Sequence, residues 1–193
     1  MKADASLYEG KQVIRRALAR VRGLDRVDPN VVTISILVPA AIGAAALWQG
    51  WWLIAVLAIV ARMVLATMDG YIAESFGRAT RLGSYLNRFV TELADATLLL
   101  ALIPHADAFW VGAALASGWL VNVTGLLGVA AGGSIQWTGP AGQADRLAFL
   151  IAASLIALFA EMNWTLFCMV LVGLSAVTIV RRASRSIAEL RRA

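Results

Sequence analysis

Charge is scarce in this chain. Only 15% of its 193 residues are Asp, Glu, Lys or Arg, where a soluble globular domain carries about a quarter. Hydrophobic residues make up 60%, and the mean hydropathy is +0.75. There is one cysteine, Cys168, so no internal disulfide can form; it lies in an apolar run and reads as packing. No cleavable signal pattern is present: the first 29 residues carry seven Lys/Arg and no long apolar core. Internal repeats and low-complexity segments are lacking too. A pI near 10.1 raises nucleic acid as a partner, but the basic residues flank apolar segments, which argues against nucleic acid.

What is abundant is apolar sequence in runs of close to 20 residues, the pattern of an all-α integral membrane protein. Six transmembrane helices are predicted, at 31–48, 51–69, 84–103, 108–130, 146–160 and 164–180, the fifth being short. The breaks are Gln49-Gly50, the polar stretch 70–83, Pro104-His105-Ala106-Asp107, the Gly/Pro-rich 132–142, and Glu161-Met162-Asn163. Of the 17 Lys/Arg, all but Arg62 fall in the N-terminal segment, at Arg78, Arg81 and Arg88, at Arg146, or after residue 180. The intervening loops have none. This asymmetry predicts both termini on the cytoplasmic side. Trp48, Trp51, Trp52, Trp110 and Trp164 fall at the opposite faces, as an aromatic belt would.

Residues 7–27, LYEGKQVIRRALARVRGLDRV, alternate apolar and basic positions at helical spacing. They predict an amphipathic helix on an anionic membrane surface, or a basic helix docked on its own protein. The expected organisation is a cytoplasmic juxtamembrane amphipathic helix over 1–29, a six-helix transmembrane domain over 30–180, and a basic cytoplasmic tail over 181–193 that anchors topology.

The chemistry concentrates where the second and third spans meet. Positions 66, 69 and 73 share one helical face, and Gly83, Asn87, Thr91 and Asp95 form an i, i+4 ladder. A short loop lets the two faces approach. Ionisable groups at such a place are functional candidates because burying them is costly. Arg62 lies two turns deeper than Asp69, and Asp95 lies eight residues deeper than Asn87. If Asp69 and Asn87 share a level, as the family signature described below implies, the two depths agree to about 1.5 Å at about 1.5 Å per residue. That predicts a buried Arg62–Asp95 ion pair, with backbone carbonyls as the alternative partners of Arg62.

The stretch ATMDGYIAESFGRATRLGSYLNRFVT, residues 66–91, resembles the signature of the CDP-alcohol phosphotransferases, integral membrane enzymes of phospholipid synthesis. Their pattern is D-x-x-D-G-x-x-A-R-x8-G-x-x-x-D-x-x-x-D. Asp69, Gly70, Ala73 and Gly83 match. Ala66 stands for the first Asp, Glu74 for the Arg, Asn87 for the third Asp and Thr91 for the last, which is the family's usual base. Pro29, Asn30 and Thr33 match a Pro-Asn-x-x-Thr that often opens the first span; Asp145 and Arg146 match an acid–Arg element opening the fifth.

The resemblance implies a six-helix fold with a cleft lined by Asn30, Thr33, Asp69, Asn87 and Thr91, and ligand-binding positions at Asn30, Thr33, Asp69, Gly70, Ala73, Gly83, Asn87 and Arg146. It implies divalent metal held by four aspartates, of which only Asp69 is kept. Hard cations want carboxylate oxygens, so no cofactor is expected, or only a weak metal at Asp69 with Asn87. No catalytic set is intact. The expected function is a divergent family member without the standard metal-dependent transfer, acting by lipid or nucleotide binding or as partner of another lipid-synthesis protein. An active enzyme using Mg or Mn in a site rebuilt from Glu74, Glu92 or Asp95 is the alternative, and a small transporter or scaffold the third. Expected partners are a phospholipid or CDP-linked lipid, an anionic membrane surface, and a second copy or a lipid-synthesis protein. The expected location is a bacterial inner (plasma) membrane. Asn30 and Thr33 also have a plainer reading as caps of the first span, with Asn30 as N-cap.

Overall fold

A computed structural model describes residues 15–21 and 23–192. Beyond a helical turn at 15–18 and a 3-10 turn, the described residues form seven α-helices: α1 (Pro29–Ser35), α2 (Leu37–Trp48), α3 (Trp52–Ser75), α4 (Arg81–Leu100), α5 (Ala108–Ala130), α6 (Gln143–Ile156) and α7 (Trp164–Leu190). Contacts divide the chain into two compact units, the first ending at Ala101 and the second beginning at Leu102.

Each helix start has a local cause. Asp28 caps α1 by accepting from the Asn30 amide at 2.8 Å, and Pro29 takes the first position. The cap is thus Asp28, not Asn30: with Pro29 at the first helical position, the capping place falls two residues before Asn30, whose own amide is the donor. Thr80 caps α4 through Gly83 N, Asp107 caps α5 through Phe109 N, and Asn163 caps α7 through Leu166 N, each at 2.9 Å. The interruption between α1 and α2 at Ile36 lies three residues before Pro39, whose missing N–H cannot continue the ladder. Gly50 makes the α2–α3 turn with φ 72, a left-handed conformation that suits glycine.

Four stretches are long and apolar enough to cross a membrane: Pro29–Trp48, Trp52–Ser75, Ala108–Ala130 and Trp164–Leu190. The third and fifth expected spans are helical but do not meet that standard. Helix α4 carries Arg81, Arg88, Glu92 and Asp95 along its 20 residues. Helix α6 has 14 residues, about 21 Å at about 1.5 Å per residue, against a hydrocarbon core of about 30 Å.

Two other expectations are corrected. The juxtamembrane helix does not run unbroken to residue 27. One helical turn at 15–18 gives way to turns, to Gly23 at φ 86, and to a 3-10 turn at Leu24–Arg26. Residues 1–14 and 22, where most of that helix was expected, lie outside the described residues. Trp164 is not a belt residue but is buried, packed edge-on against Phe167 with ring centroids 5.6 Å apart.

In the first unit, α2, α3 and α4 pack closely. An added Cβ at Gly43 on α2 would stand 3.0 Å from Leu98 of α4 and 3.3 Å from Ala58 of α3; small residues at such points let membrane helices approach. One apolar cluster holds Ile36, Ala40, Val90 and Ala94, with Leu37, Leu65 and Ala66 against it. A second holds Leu18, Leu24, Val32 and Ile72.

In the second unit, the chain after α5 folds back along it: Gly133 N donates to Gly128 O at 2.8 Å and Gln136 N to Gly125 O at 3.2 Å. Helix α7 continues well past residue 180, so Arg182 is helical and 2% exposed. It is not a free topology anchor. Its Nη1, Nε and Nη2 donate to the carbonyls of Val121, Thr138 and Trp137 at 2.8, 3.1 and 3.3 Å. Bare carbonyls in an irregular segment need donors; this guanidinium supplies them to Trp137 and Thr138 and ties that segment to Val121 of α5.

Candidate functional site

The candidate site grows from Asp69, 2% exposed on α3. Helix α1 brings Thr33, whose hydroxyl lies 2.6 Å from Asp69 Oδ2 and 3.0 Å from Pro29 O. Helix α4 brings Asn87, whose side-chain amide donates to the same Oδ2 at 2.6 Å. The Gly70 amide donates to Oδ1 at 2.5 Å. Three helices thus converge on one carboxylate, and every direct donor in this set is neutral. This juxtaposition is what the motif spacing predicts for Asp69 and Asn87.

The remaining positions sort by what the local sequence permits. Asn30 is half-buried, and its Oδ1 lies 3.0 Å from where a Cβ on Gly83 would be. Gly83 therefore eases the approach of α1 to α4, where a methyl would push against that side chain. Gly70 faces open space, since an added Cβ would meet nothing within 4 Å. Ala73 is half-buried. Ala66 has joined the apolar cluster around Ile36 and Val90, so the motif's first carboxylate position is hydrophobic packing. Thr91 turns its hydroxyl back onto its own helix, 2.6 Å from Asn87 O and 3.1 Å from Arg88 O. It occupies the expected depth without pointing a donor at Asp69. Arg146 belongs to the second unit, where Nη1 donates to Ala141 O at 3.1 Å and Gly118 O at 3.4 Å.

One level below Asp69, Arg62 Nη2 lies 2.6 Å from Asp95 Oδ1 and donates to Thr91 O at 3.1 Å. Both residues are buried. Arg62 takes both of its expected kinds of partner, the carboxylate and a backbone carbonyl. At the outer end of α3, Glu74 pairs with Arg15.

The residues present do not fit a divalent metal. Both oxygens of Asp69 already accept hydrogen bonds, Asp95 is neutralised by Arg62, and Glu74 by Arg15. Among the described residues no group of three or more His, Cys, Asp or Glu side chains could hold a metal ion. Such a cation needs several oxygens to replace its water, and here those oxygens are engaged by the protein's own donors.

Sequence reasoning missed Arg182. The signal was there: Ser175, Thr178, Arg182 and Ser186 recur at spacings of three and four, a polar stripe on an apolar helix, and all four are buried.

No family model matches the chain. Its structure is similar to the crystal structure of Mycobacterium tuberculosis phosphatidylinositol phosphate synthase (PgsA1) with CDP-DAG bound. The TM-score is 0.69 with 20% sequence identity, over 93% of this chain and 92% of that one. In sequence the chain is similar to the inner membrane protein YnbA of Escherichia coli (strain K12), 32% identical over 107 residues. The matched region spans 53% of each protein, so the chain covers about half the length of that relative. With four helices long and apolar enough to span, the chain is an integral membrane protein. It has the fold of that phosphatidylinositol phosphate synthase, the fold that the CDP-alcohol phosphotransferase resemblance implies.

Proposed function

We propose that the chain is a divergent member of the CDP-alcohol phosphotransferase family in a bacterial inner membrane. In this reading it crosses the membrane six times with both termini cytoplasmic. It binds a phospholipid or CDP-linked lipid at the Asp69 level without carrying out the family's metal-dependent transfer. It acts by that binding, as a second copy's partner or as the partner of another lipid-synthesis protein.

The observation that carries the reading is the neutral set of side chains around Asp69. A divalent metal would need several carboxylates beside Asp69; here its side-chain partners are the neutral Thr33 and Asn87, and positions 66 and 91 carry Ala and Thr. The solved relative with CDP-DAG bound supports a CDP-linked lipid as the ligand class. Without a metal, the cations of the loop and helix start between Asp69 and Thr91, Arg78, Arg81 and Arg88, are the groups that would meet a headgroup phosphate. The alternative, an active enzyme with a rebuilt site, needs Glu74, Glu92 or Asp95 as ligands. Two of these are already in ion pairs.

The test is purification followed by CDP-diacylglycerol binding and turnover with Mg²⁺ or Mn²⁺ across a panel of alcohols. Binding without CMP release is expected. Metal-dependent CMP release would establish the rebuilt enzyme instead, and no binding at all would leave the transporter or scaffold reading.

A further inference from the structure

Where the resembling motif has Arg, this chain has Glu74, and its carboxylate holds Arg15 from 59 residues earlier. The same N-terminal segment is held at three more points. Leu18 and Leu24 are buried with Val32 and Ile72 in one cluster. Arg78 Nη1 donates to Val27 O at 3.0 Å. Leu65, Met68 and Ile72 lie four before, one before and three after Asp69, and all belong to this cluster or pack against it. The segment therefore rests on the turns of α3 that carry the candidate site.

Its other side is basic and free of the cluster: Arg16, Arg20 and Arg26 are exposed, and Val21 is 53% exposed. Nor is it one continuous helix, since Gly23 and the 3-10 turn divide it. It can detach without unwinding a long element. The latch is an exposed pair, the Glu74 side chain being 65% accessible; such pairs bias an equilibrium by no more than about fivefold. An anionic leaflet favours each nearby basic residue by about the same factor. Arg15, Arg16, Arg20 and Arg26 together outweigh the single latch. Leu18 and Leu24 lose little by leaving, because a lipid interface accepts them too.

We infer that residues 15–27 are a strap, latched by Glu74 across the α3 end of the candidate site, which an anionic lipid surface unlatches by taking Arg15 and its basic neighbours. The strap stands independently of whether the site turns over a lipid.

Spin labels at Ala19→Cys and Ser84→Cys, both exposed positions, in a Cys168→Ala background report the strap's distance from α4 in nanodiscs. In phosphatidylcholine one short distance is expected. Phosphatidylglycerol should add a longer population. Glu74→Arg in phosphatidylcholine should raise the ratio of long to short about fivefold, with Glu74→Gln intermediate. Adding Arg15→Glu to Glu74→Arg should restore the short distance. The same single distance in both lipids and in all variants overturns the proposal, as does a shift with Glu74→Arg that the reversed pair does not restore.

Discussion

Arg62 of α3 and Asp95 of α4 form an ion pair at 2.6 Å, with both side chains less than a tenth exposed. Removing one partner of such a pair leaves an uncompensated buried charge, a loss of about 3–5 kcal/mol. Arg62→Met should cost that much in denaturant unfolding from micelles, and Asp95→Asn in the same chain should recover part of it. Strictly additive costs would mean the two charges do not feel each other.

Asp69 and Asn87 give a second test. Asn87→Asp exchanges a hydrogen bond for two carboxylates in contact. It should cost at least about 1 kcal/mol, the net worth of a hydrogen bond, and Mn²⁺ should restore the loss. The unaltered protein's melting temperature should not move with Mn²⁺. A rise of several degrees in the unaltered protein would show that Asp69 takes metal as it stands.

Three glycines should respond differently to alanine. At Gly70 the new methyl meets nothing within 4 Å, so Gly70→Ala should be neutral or stabilise by up to about 1 kcal/mol. If the ligand comes close to that backbone, the same change should weaken CDP-diacylglycerol binding while leaving the fold intact. At Gly83 the methyl meets side-chain atoms of Asn30 and Thr80 at 3.0 and 3.1 Å, which can give way. At Gly125 it meets a backbone carbonyl, Gln136 O, at 2.8 Å. Gly125→Ala should therefore lose about 1–3 kcal/mol by overpacking, and Gly83→Ala less. Thermal unfolding ranks them; a reversed order would contradict the packing described.

Arg182 and its neighbour Arg181 make the fourth comparison. Arg182→Lys keeps the charge but loses the planar fork that reaches three carbonyls. It should cost about 1–3 kcal/mol and expose residues 132–142 to protease. Arg181, exposed on the same helix, should change stability by less than about 0.5 kcal/mol when made alanine. An Arg182→Lys protein as stable as the unaltered one would mean that charge alone matters there.

The parts of this protein governed by helical period were legible in its sequence. Asp69 meets Asn87 as the motif spacing implies, and the Arg62–Asp95 pair follows from that shared level together with the rise per residue. Where side chains had local alternatives, the sequence was silent. Thr91 had a carbonyl of its own helix within reach, so its hydroxyl bonds there. The Arg62–Asp95 pair, Arg88 and Glu92 make α4 amphipathic where an apolar span was expected. Arg182 was hidden for a different reason. Its partners lie 44 to 61 residues away, and a carbonyl in an irregular loop leaves no mark on the hydropathy pattern.

That separation also sets an order of events during synthesis. The carbonyls of Val121, Trp137 and Thr138 leave the ribosome 61, 45 and 44 residues ahead of the guanidinium they accept from. At about 5–20 residues per second the wait lasts seconds. Carbonyls without donors are not tolerated in hydrocarbon, so until α7 arrives the irregular carbonyls of Trp137 and Thr138 need water in place of Arg182. Helix α7 is the one that lets the preceding loop settle, and a ribosome stalled before residue 182 would leave that loop unfinished in shape as well as in length.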